Sequence, residues 1–191
     1  MKKIKIGLFG GSFNPIHLGH LEAANIINKK LKLDKLFFIP NFISPHKINN
    51  HIASVKDRLE MINLAIKEFN NFKISEYEVN NKNISYSIDT INYYRLLYPT
   101  AELYFLTGSD IIRKLESWYK INEIFEKCTF VIFTRPEFQS INDLIRVSAL
   151  RNDHKISLLK NKINLKTNNI SSSNVRLNVY DGKNIKKFVP Y

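Results

Sequence analysis

The sequence predicts an α/β fold with a mainly parallel sheet flanked by helices. Short apolar segments with strand character alternate along the chain with longer segments whose apolar residues recur every three or four positions. This alternation is typical of strand-helix-strand units, which place neighbouring strands parallel and connect them by right-handed crossovers. Neither an internal repeat nor a low-complexity tract interrupts the pattern, so we expect a single domain over residues 1–191.

The predicted elements follow one another without long gaps. We expect strands over residues 4–9, 36–39, 72–79, 103–107, 130–134 and 163–166. We expect helices from 17 to about 31, over 55–69, over 85–98, from 109 onward, over 141–150, and from 175 onward. Residues 41–52 carry a proline and several asparagines and are predicted to form a loop, and residues 80–83 a polar turn.

Composition excludes several classes of protein. The hydrophobic fraction of 44% is that of a folded globular chain, not of a disordered one. Cys128 is the only cysteine, so no internal disulfide can form, and its apolar neighbours predict a buried core thiol. The N-terminal residues are too polar for a signal peptide and no window is apolar enough to span a membrane, so we expect a cytoplasmic protein without a membrane partner.

The formal net charge of +12 attracts anions. A nucleic-acid-binding module would cluster its basic residues with aromatic residues on one face. Here the lysines are scattered through a chain that is also rich in Asn and Ile, which favours compositional drift as the origin of the charge. We therefore expect no nucleic-acid partner, and the sequence leaves open whether the chain is a monomer or a homo-oligomer.

A glycine-rich stretch, GLFGGSFNPIHLGH, covers residues 7–20 and follows the first predicted strand directly. In a parallel sheet, ligands bind beyond the carboxyl ends of the strands, where glycines let backbone N–H groups approach a phosphate. The stretch lacks the G-x-G-x-x-G pattern of dinucleotide-binding proteins and the Gly-Lys-Ser/Thr of a P-loop. It indicates a different kind of phosphate site.

Two histidines close that stretch. His17 and His20 are three residues apart at a helix start and therefore share one side of the helix. We expect Gly19, between them, to leave room for a ligand. Two donors aimed at one place suit a phosphate chain whose charge grows during a reaction. The alternatives are a zinc site, which lacks an evident third ligand, and two unrelated surface histidines.

A second anion-binding pattern, NISSSNVR, covers residues 169–176. Hydroxyl groups at a helix start cap free N–H groups, and Arg176 adds a planar fork that suits a phosphate. Taken alone, the pattern is equally that of an ordinary helix cap followed by a surface arginine.

Together these motifs resemble a known superfamily. GSFNPIHLGH is similar to the G-x-F-[DN]-P-x-H-x-G-H signature of the nucleotidyltransferases, and ISSSNVR resembles their I-S-S-T-x-[IV]-R element. Between the two lie IPNFISPHK (39–47), SYSIDT (85–90) and GSD (108–110) followed by Trp118. These are similar to segments of the bacterial nicotinate-nucleotide adenylyltransferases, in the same order and over nearly the whole chain.

The resemblance implies a Rossmann-like, doubly wound fold and a reaction in which ATP and nicotinate mononucleotide give deamido-NAD and pyrophosphate, assisted by Mg²⁺. It implies catalytic roles for His17, His20, Lys47 and Arg176. It implies that ATP is bound by Gly10, Gly11, Ser12, Phe13, His17, His20, Ile170, Ser171, Ser172 and Arg176. It implies that the acceptor nucleotide is bound by Ser85, Tyr86, Ser87, Gly108, Asp110, Trp118 and Arg135. It implies no metal ligand from the protein.

Several residues depart from the family pattern. Ser44 replaces a proline, and Ser87 and Ser173 replace threonines while keeping the hydroxyl group. Glu137 stands where the family has glycine, which puts a turn with positive φ in doubt there. None of these changes removes a needed donor. The rival readings are a sister enzyme that adenylylates nicotinamide mononucleotide or phosphopantetheine, and a basic nucleic-acid-binding module.

Overall fold

Five parallel strands form the central sheet, in the order β3-β2-β1-β4-β5. Its strands are β1 (Lys5–Gly11), β2 (Lys35–Pro40), β3 (Phe72–Ile74), β4 (Glu102–Gly108) and β5 (Thr129–Phe133). The structure is a computed structural model that describes residues 2–43, 45, 52–134, 141–165 and 170–190. Within these ranges the predicted α/β architecture is confirmed.

Helices cover both faces of the sheet. They are α1 (Leu18–Leu31), α2 (Val55–Ile66), α3 (Tyr77–Asn81), α4 (Ser87–Leu97), α5 (Ile112–Leu115), α6 (Ile121–Lys127), α7 (Ile141–Val147), α8 (Asn152–Lys160) and α9 (Ser172–Tyr180). One apolar core lies between the sheet and helices α1 and α2, where Ile27 and Ile62 are fully buried. The other core lies on the opposite face, between the sheet and the five helices from α4 through α8. Successive residues of β1, such as Leu8 and Phe9, point to opposite faces of the sheet and therefore into different cores.

The order of the strands places a topological switch beside β1. The chain runs from β1 outward to β2 and β3, then returns to the other side of β1 to form β4 and β5. The loops after β1 and β4 therefore diverge and leave a crevice at the carboxyl ends of these two strands. This is the edge of the sheet at which the glycine-rich stretch lies.

The predicted strand over residues 72–79 is wrong in its second half. β3 ends at Ile74, and the chain then forms the short helix α3, which also takes in part of the predicted turn over 80–83. Ser75 N–H still donates to Phe38 O on β2 at 2.9 Å, but Val79 is buried from a helix rather than from a strand. Glu78 of α3 accepts a hydrogen bond from Thr90 of α4, a long-range contact that local alternation cannot reveal.

Other boundaries also differ from the prediction. The helix predicted from 109 onward is a 3₁₀ turn at Ser109–Ile111 followed by α5, and the chain to β5 contains a separate helix, α6. A further helix, α8, was not predicted. The last predicted strand is reduced, in the residues that the structure describes, to a single parallel bridge between Ile163 and Phe133.

The lone cysteine is a core residue, as predicted. Cys128 is buried between α6 and β5, and its Sγ donates to Ile124 O at 3.3 Å. Burial raises the pKa of the thiol to about 12. None of the described helices is both long enough and apolar enough to cross a membrane.

Candidate active site

Two cavities open side by side at the carboxyl ends of β1 and β4. One, the histidine cavity, has a volume of about 380 Å³, and the other, the aromatic cavity, about 400 Å³. Both are lined by Gly10, Gly11 and Thr107, so they meet at the topological switch between the two strands. A reaction between two bound molecules is possible where two such cavities join.

The histidine cavity brings the two ends of the chain together. It is lined by Phe9, Gly10, Gly11, Ser12, Phe13, Asn14, His17, His20, Ile52, Thr107, Gly108, Asp110, Phe133, Ser171, Ser172, Ser173 and Arg176. The predicted convergence of His17 and His20 with residues 171–176 is therefore present in the structure. The lining is rich in hydroxyl, imidazole and guanidinium donors, which suit a polyanion.

The two imidazole rings are held in a fixed arrangement. His17 is the N-cap residue of α1, and its backbone N–H donates to His20 Nδ1 at 3.3 Å. The rings stack with centroids 3.7 Å apart. Because Nδ1 of His20 accepts a hydrogen bond, its ring proton resides on Nε2, which makes that nitrogen a donor.

The space beside Gly19 is filled by the protein rather than left for a ligand. A Cβ atom at Gly19 would lie 3.2 Å from the His17 ring and 3.6 Å from Ile170 O. The glycine thus allows the His17 ring and the segment before α9 to approach α1 closely. The N–H of Leu18, at the start of α1, donates to Phe188 O at 2.8 Å, so the C-terminal segment takes up part of the positive end of this helix.

Helix α9 is tied to the loop after β1 by side chains. Ser171 caps α9 by accepting from Asn174 N–H at 3.1 Å. Ser172 Oγ donates to Pro15 O at 2.9 Å, and Arg176 Nη1 donates to Asn14 O at 2.7 Å. Residues from opposite ends of the chain thereby share one wall of the histidine cavity.

Phe13 lies in this loop with a φ of +46°, in the left-handed region that a phenylalanine rarely adopts. Its ring is buried and packs edge-on against Phe9, with centroids 5.6 Å apart, and against His20, 5.2 Å apart. Buried aromatic packing offsets the backbone strain, which amounts to about 1–3 kcal/mol for a residue in such a region.

Asp110 approaches the end of β4 at Gly108. A Cβ atom at Gly108 would lie 2.5 Å from Asp110 Oδ1, so only glycine leaves room for the carboxylate in this position. The resemblance implied both residues for the acceptor nucleotide, and both line the histidine cavity.

The aromatic cavity is built from the middle of the chain. It is lined by Gly10, Gly11, Asn41, Pro45, Glu78, Ser85, Tyr86, Ser87, Phe105, Thr107, Ser117, Trp118 and Tyr119. Trp118 packs edge-on against Phe105 with centroids 5.8 Å apart, and Tyr86 lies 5.1 Å from the Tyr119 ring. The walls offer flat apolar surface of the kind that binds a heteroaromatic ring.

Helix α4 begins at this cavity, with Tyr86 as its N-cap residue and Ser87 as its first residue. The first N–H groups of a helix have no partner within it and carry a partial positive charge, which favours a bound carboxylate or phosphate. Ser85 Oγ accepts from Phe42 N–H at 3.0 Å, which links the start of α4 to the loop after β2.

A carboxyl group, Glu78, also belongs to the wall of the aromatic cavity. Thr90 Oγ1 donates to its Oε1 at 2.5 Å. Burial raises the pKa of Glu78 above its ordinary value, against the opposing effect of hydrogen bonds from Thr90 and Ser85, while nearby Asp89 raises it further.

Two predicted site residues, Lys47 and Arg135, lie outside the described residues. Ile170 is buried with its carbonyl oxygen close to Gly19 of α1, and it does not line the histidine cavity. Asn41, Thr107 and Glu78 line the cavities but were not among the predicted site residues. Asn41 follows β2 and Thr107 lies near the end of β4. The rule that ligands bind at the carboxyl ends of parallel strands, applied above to β1, also indicates these two residues. Glu78 was missed because its segment was wrongly predicted to be a strand.

Metal ligands are sparse. Among the residues that the structure describes, no group of three or more His, Cys, Asp or Glu side chains could hold a metal ion. Asp110 is the one carboxylate among the described residues lining the histidine cavity.

Comparison with known proteins assigns the chain to a family. The family model for cytidylyltransferase-like proteins matches residues 8–178, which include residues 8–20 and 169–176 of the two predicted anion-binding motifs and the lining of both cavities. The chain belongs to the cytidylyltransferase-like family. Relatives in this family include a probable nicotinate-nucleotide adenylyltransferase of Clostridium tetani, 36% identical over 97% of this chain and 92% of that protein. Another, from Clostridium perfringens, is 37% identical over 97% of this chain and 91% of its own length.

Solved structures show the same fold. The nicotinic acid mononucleotide adenylyltransferase of Plasmodium falciparum, complexed with NaAD, aligns with a TM-score of 0.75 at 20% identity, covering 97% of this chain and 90% of that one. This likeness shows that the present chain has the same overall fold, a Rossmann-like parallel α/β architecture.

Proposed function

We propose that this protein transfers AMP from ATP to nicotinate mononucleotide, giving deamido-NAD and pyrophosphate in NAD biosynthesis. The observation that carries the proposal is the pair of adjoining cavities. One gathers His17, His20 and the start of α9, and the other has aromatic walls and the start of α4. The names of the two clostridial relatives support the same activity.

The chemistry is an in-line displacement at phosphorus. A phosphate oxygen of nicotinate mononucleotide attacks the α-phosphorus of ATP, the bond from that phosphorus to the bridging oxygen breaks, and pyrophosphate leaves with the electron pair. No protein nucleophile is needed, so positioning and charge stabilisation supply the catalysis. This fits a site that holds many donors and no activated serine or cysteine in its described part.

His17 and His20 would donate to the ATP phosphates as negative charge grows on them. The ring proton of His20 is on Nε2, because its Nδ1 accepts from His17 N–H. Preorganised donors of this kind stabilise a transition state without reorganising during the reaction.

The remaining donors of the histidine cavity would bind the outer phosphates. Ser12 and the backbone of Gly10 and Gly11 would line the phosphate path, and Ser171, Ser172 and Arg176 would bind the β- and γ-phosphates. The start of α9 favours anions through its unpaired N–H groups. Roles for Lys47, in closing over the phosphates, and for Arg135 stay predictions.

The aromatic cavity would hold the acceptor nucleotide. Trp118 offers a flat face for the pyridine ring. The first N–H groups of α4, next to Ser85 and Ser87, would meet the nicotinate carboxylate, and their positive charge favours the acid over the neutral amide.

Mg²⁺ would be held chiefly by the ATP phosphates. Nucleotide enzymes bind this ion with one or two carboxylates and the substrate phosphates, and Asp110 in the histidine cavity fits that role. This proposal differs from the resemblance, which implied Asp110 for the acceptor nucleotide and no metal ligand from the protein. When bound, the ion neutralises charge on the departing pyrophosphate. The proposal needs no protein cage for the metal.

The test is to incubate the protein with ATP, Mg²⁺ and either nicotinate or nicotinamide mononucleotide, and to follow pyrophosphate and the dinucleotide product. We expect deamido-NAD to form faster than NAD. Faster turnover of the amide, or turnover of phosphopantetheine only, would assign the protein to a sister activity. Retarded migration of RNA in a gel without any pyrophosphate release would favour the nucleic-acid-binding alternative.

A further inference from the structure

Arg58 is a buried charge to which the proposed reaction gives no role. It lies in the first part of α2 and is 1% exposed. In the described part of the chain it has no ion pair with any carboxylate. A buried, unpaired charge is unfavourable unless other polar groups compensate it.

Three backbone carbonyl groups supply that compensation. Arg58 Nη1 donates to Ser12 O at 2.9 Å and to Asn41 O at 2.8 Å, and Nε donates to Ala53 O at 3.2 Å. One nitrogen therefore bridges the residue that follows β1 and the residue that follows β2. These strands are neighbours in the sheet.

The two bridged loops belong to different cavities. Ser12 lines the histidine cavity and Asn41 lines the aromatic cavity. Asn41 also reaches the first loop directly, through its N–H to Gly11 O at 3.0 Å and its Nδ2 to Ser12 Oγ at 3.3 Å. Arg58 adds a rigid, planar group to this junction.

The bridge also orients a peptide unit. In a trans peptide the N–H points away from the preceding carbonyl. The carbonyl of Asn41 points to Arg58, and the N–H of Phe42 donates to Ser85 Oγ on the wall of the aromatic cavity. The guanidinium thus links the loop after β2 to the loop after β1, and it orients the Asn41–Phe42 peptide so that its N–H meets Ser85.

We propose that Arg58 is a positioning residue that sets the distance between the loop holding ATP and the loop holding the acceptor nucleotide. This inference rests on the proposed function. An in-line displacement needs the attacking oxygen and the α-phosphorus aligned within a fraction of an ångström, and loss of that alignment lowers kcat more than it weakens the binding of either substrate.

The decisive variant is Arg58→Lys, which keeps the positive charge but replaces the planar guanidinium, whose Nη1 and Nε reach the carbonyls of Ser12, Asn41 and Ala53, by a single ammonium nitrogen on a flexible stem. We expect kcat to fall about tenfold or more, with each KM changed less than about threefold. A charge effect on phosphate binding would instead leave this variant near wild type. Arg58→Gln, which keeps N–H donors without the charge, covers the case in which the lysine variant does not fold.

Arg95 offers a matched control. It also donates to three carbonyls, those of Pro99, Ala101 and Lys127, but lines neither cavity. Arg95→Lys should lower the melting temperature without changing kcat of the folded protein. If Arg58→Lys retains wild-type kcat, or if Arg95→Lys lowers kcat equally, the positioning role is overturned.

Amide hydrogen exchange separates this inference from the proposed function, because it needs no substrate. In Arg58→Lys, the N–H groups of Asn41 and Phe42 should exchange faster, while those of Leu36 and Ser75, on the same side of the sheet, should keep their protection. A wild-type protein inactive on nicotinate mononucleotide would refute the function, and this exchange pattern would still support the bridge. Unchanged exchange at Asn41 and Phe42 would overturn the bridge whatever the activity.

Discussion

The histidine cavity and the aromatic cavity share the ends of β1 and β4 but differ in origin and chemistry. The first joins segments up to 162 residues apart in the chain, as the contact between Arg176 and Asn14 shows. Its lining is rich in hydrogen-bond donors, and two of them, Ser172 and Arg176, are held in place by backbone carbonyls of the loop after β1. Apart from Gly10 and Gly11, which the two cavities share, the second is built from residues 41–119 and presents aromatic rings, a helix start and a buried carboxyl group.

This difference suggests a division of labour. In the proposed function, the donors of the histidine cavity would serve any reaction at the α-phosphorus of a nucleotide, whereas the flat apolar walls and the helix terminus of the aromatic cavity would select the acceptor. Substitutions in the two cavities should therefore have separable kinetic effects. The following experiments test that separation, beginning with the largest expected change.

Replacing His20 with alanine should lower kcat by about 10²–10³, because removal of one preorganised donor from a developing negative charge has this effect. The KM for the acceptor should change little. Steady-state rates with each substrate varied in turn provide the measurement.

His154→Ala is the control for His20→Ala. His154 is buried, stacks on Phe125 with centroids 4.0 Å apart, and lines neither cavity. Near-native turnover of the His20 variant would show that this donor of the histidine cavity does not take part in the reaction.

Replacing Trp118 with alanine should raise the KM for nicotinate mononucleotide about tenfold, since stacking of a heteroaromatic ring on an aromatic side chain contributes about 1–3 kcal/mol. The KM for ATP should stay within about twofold of wild type. Trp118→Phe, which keeps a flat ring, should show a smaller change. A variant in which both KM values rise together would contradict the separation of the two cavities.

Replacing Gly108 with alanine should weaken ATP binding several-fold, because the new Cβ would lie 2.5 Å from Asp110 Oδ1 and must displace that carboxylate. The acceptor KM should be unaffected. The check is a double-mutant cycle on the KM for ATP: once Asp110 is replaced by alanine, the additional change at Gly108 should have little further effect. Additive effects would show that the two residues act independently.

The smallest expected effect concerns the stability of the aromatic cavity. The pKa of Glu78 is raised in the folded protein, chiefly by burial, above its ordinary value of 4.5. The folded state therefore holds the proton more tightly, and the contribution of Glu78 to the free energy of unfolding should fall as the pH rises from 4.5 through the raised pKa.

Glu78→Gln cannot ionise and should lack this loss. Relative to wild type, the variant should gain free energy of unfolding between about pH 4 and about pH 8. Urea unfolding of both proteins at the two pH values measures the difference. A relative stability that stays constant with pH would show that Glu78 has an ordinary pKa.

More of the histidine cavity than of the aromatic cavity could be predicted from the sequence. Glycines, two histidines three residues apart and a run of serines before Arg176 are local patterns, and each kept its chemistry in the fold. The aromatic cavity draws on Asn41, Glu78 and Tyr119, which have no local pattern of their own. Glu78 illustrates the difficulty, because its segment alternates like a strand while its partners Thr90 and Ser85 lie on and before another helix.

By itself the sequence determined the parallel α/β class, the central strands, the burial of Cys128 and the position of the motifs predicted to bind phosphate, because hydrophobic periodicity and glycine placement act over a few residues. Only the tertiary structure decided that Gly19 accommodates the His17 ring, that Asp110 joins the histidine cavity and that Arg58 is buried between two loops. These features depend on which backbone carbonyls and rings meet across the fold. These long-range contacts are set by the packing of segments distant in the chain, so the local spacing of residues does not reveal them.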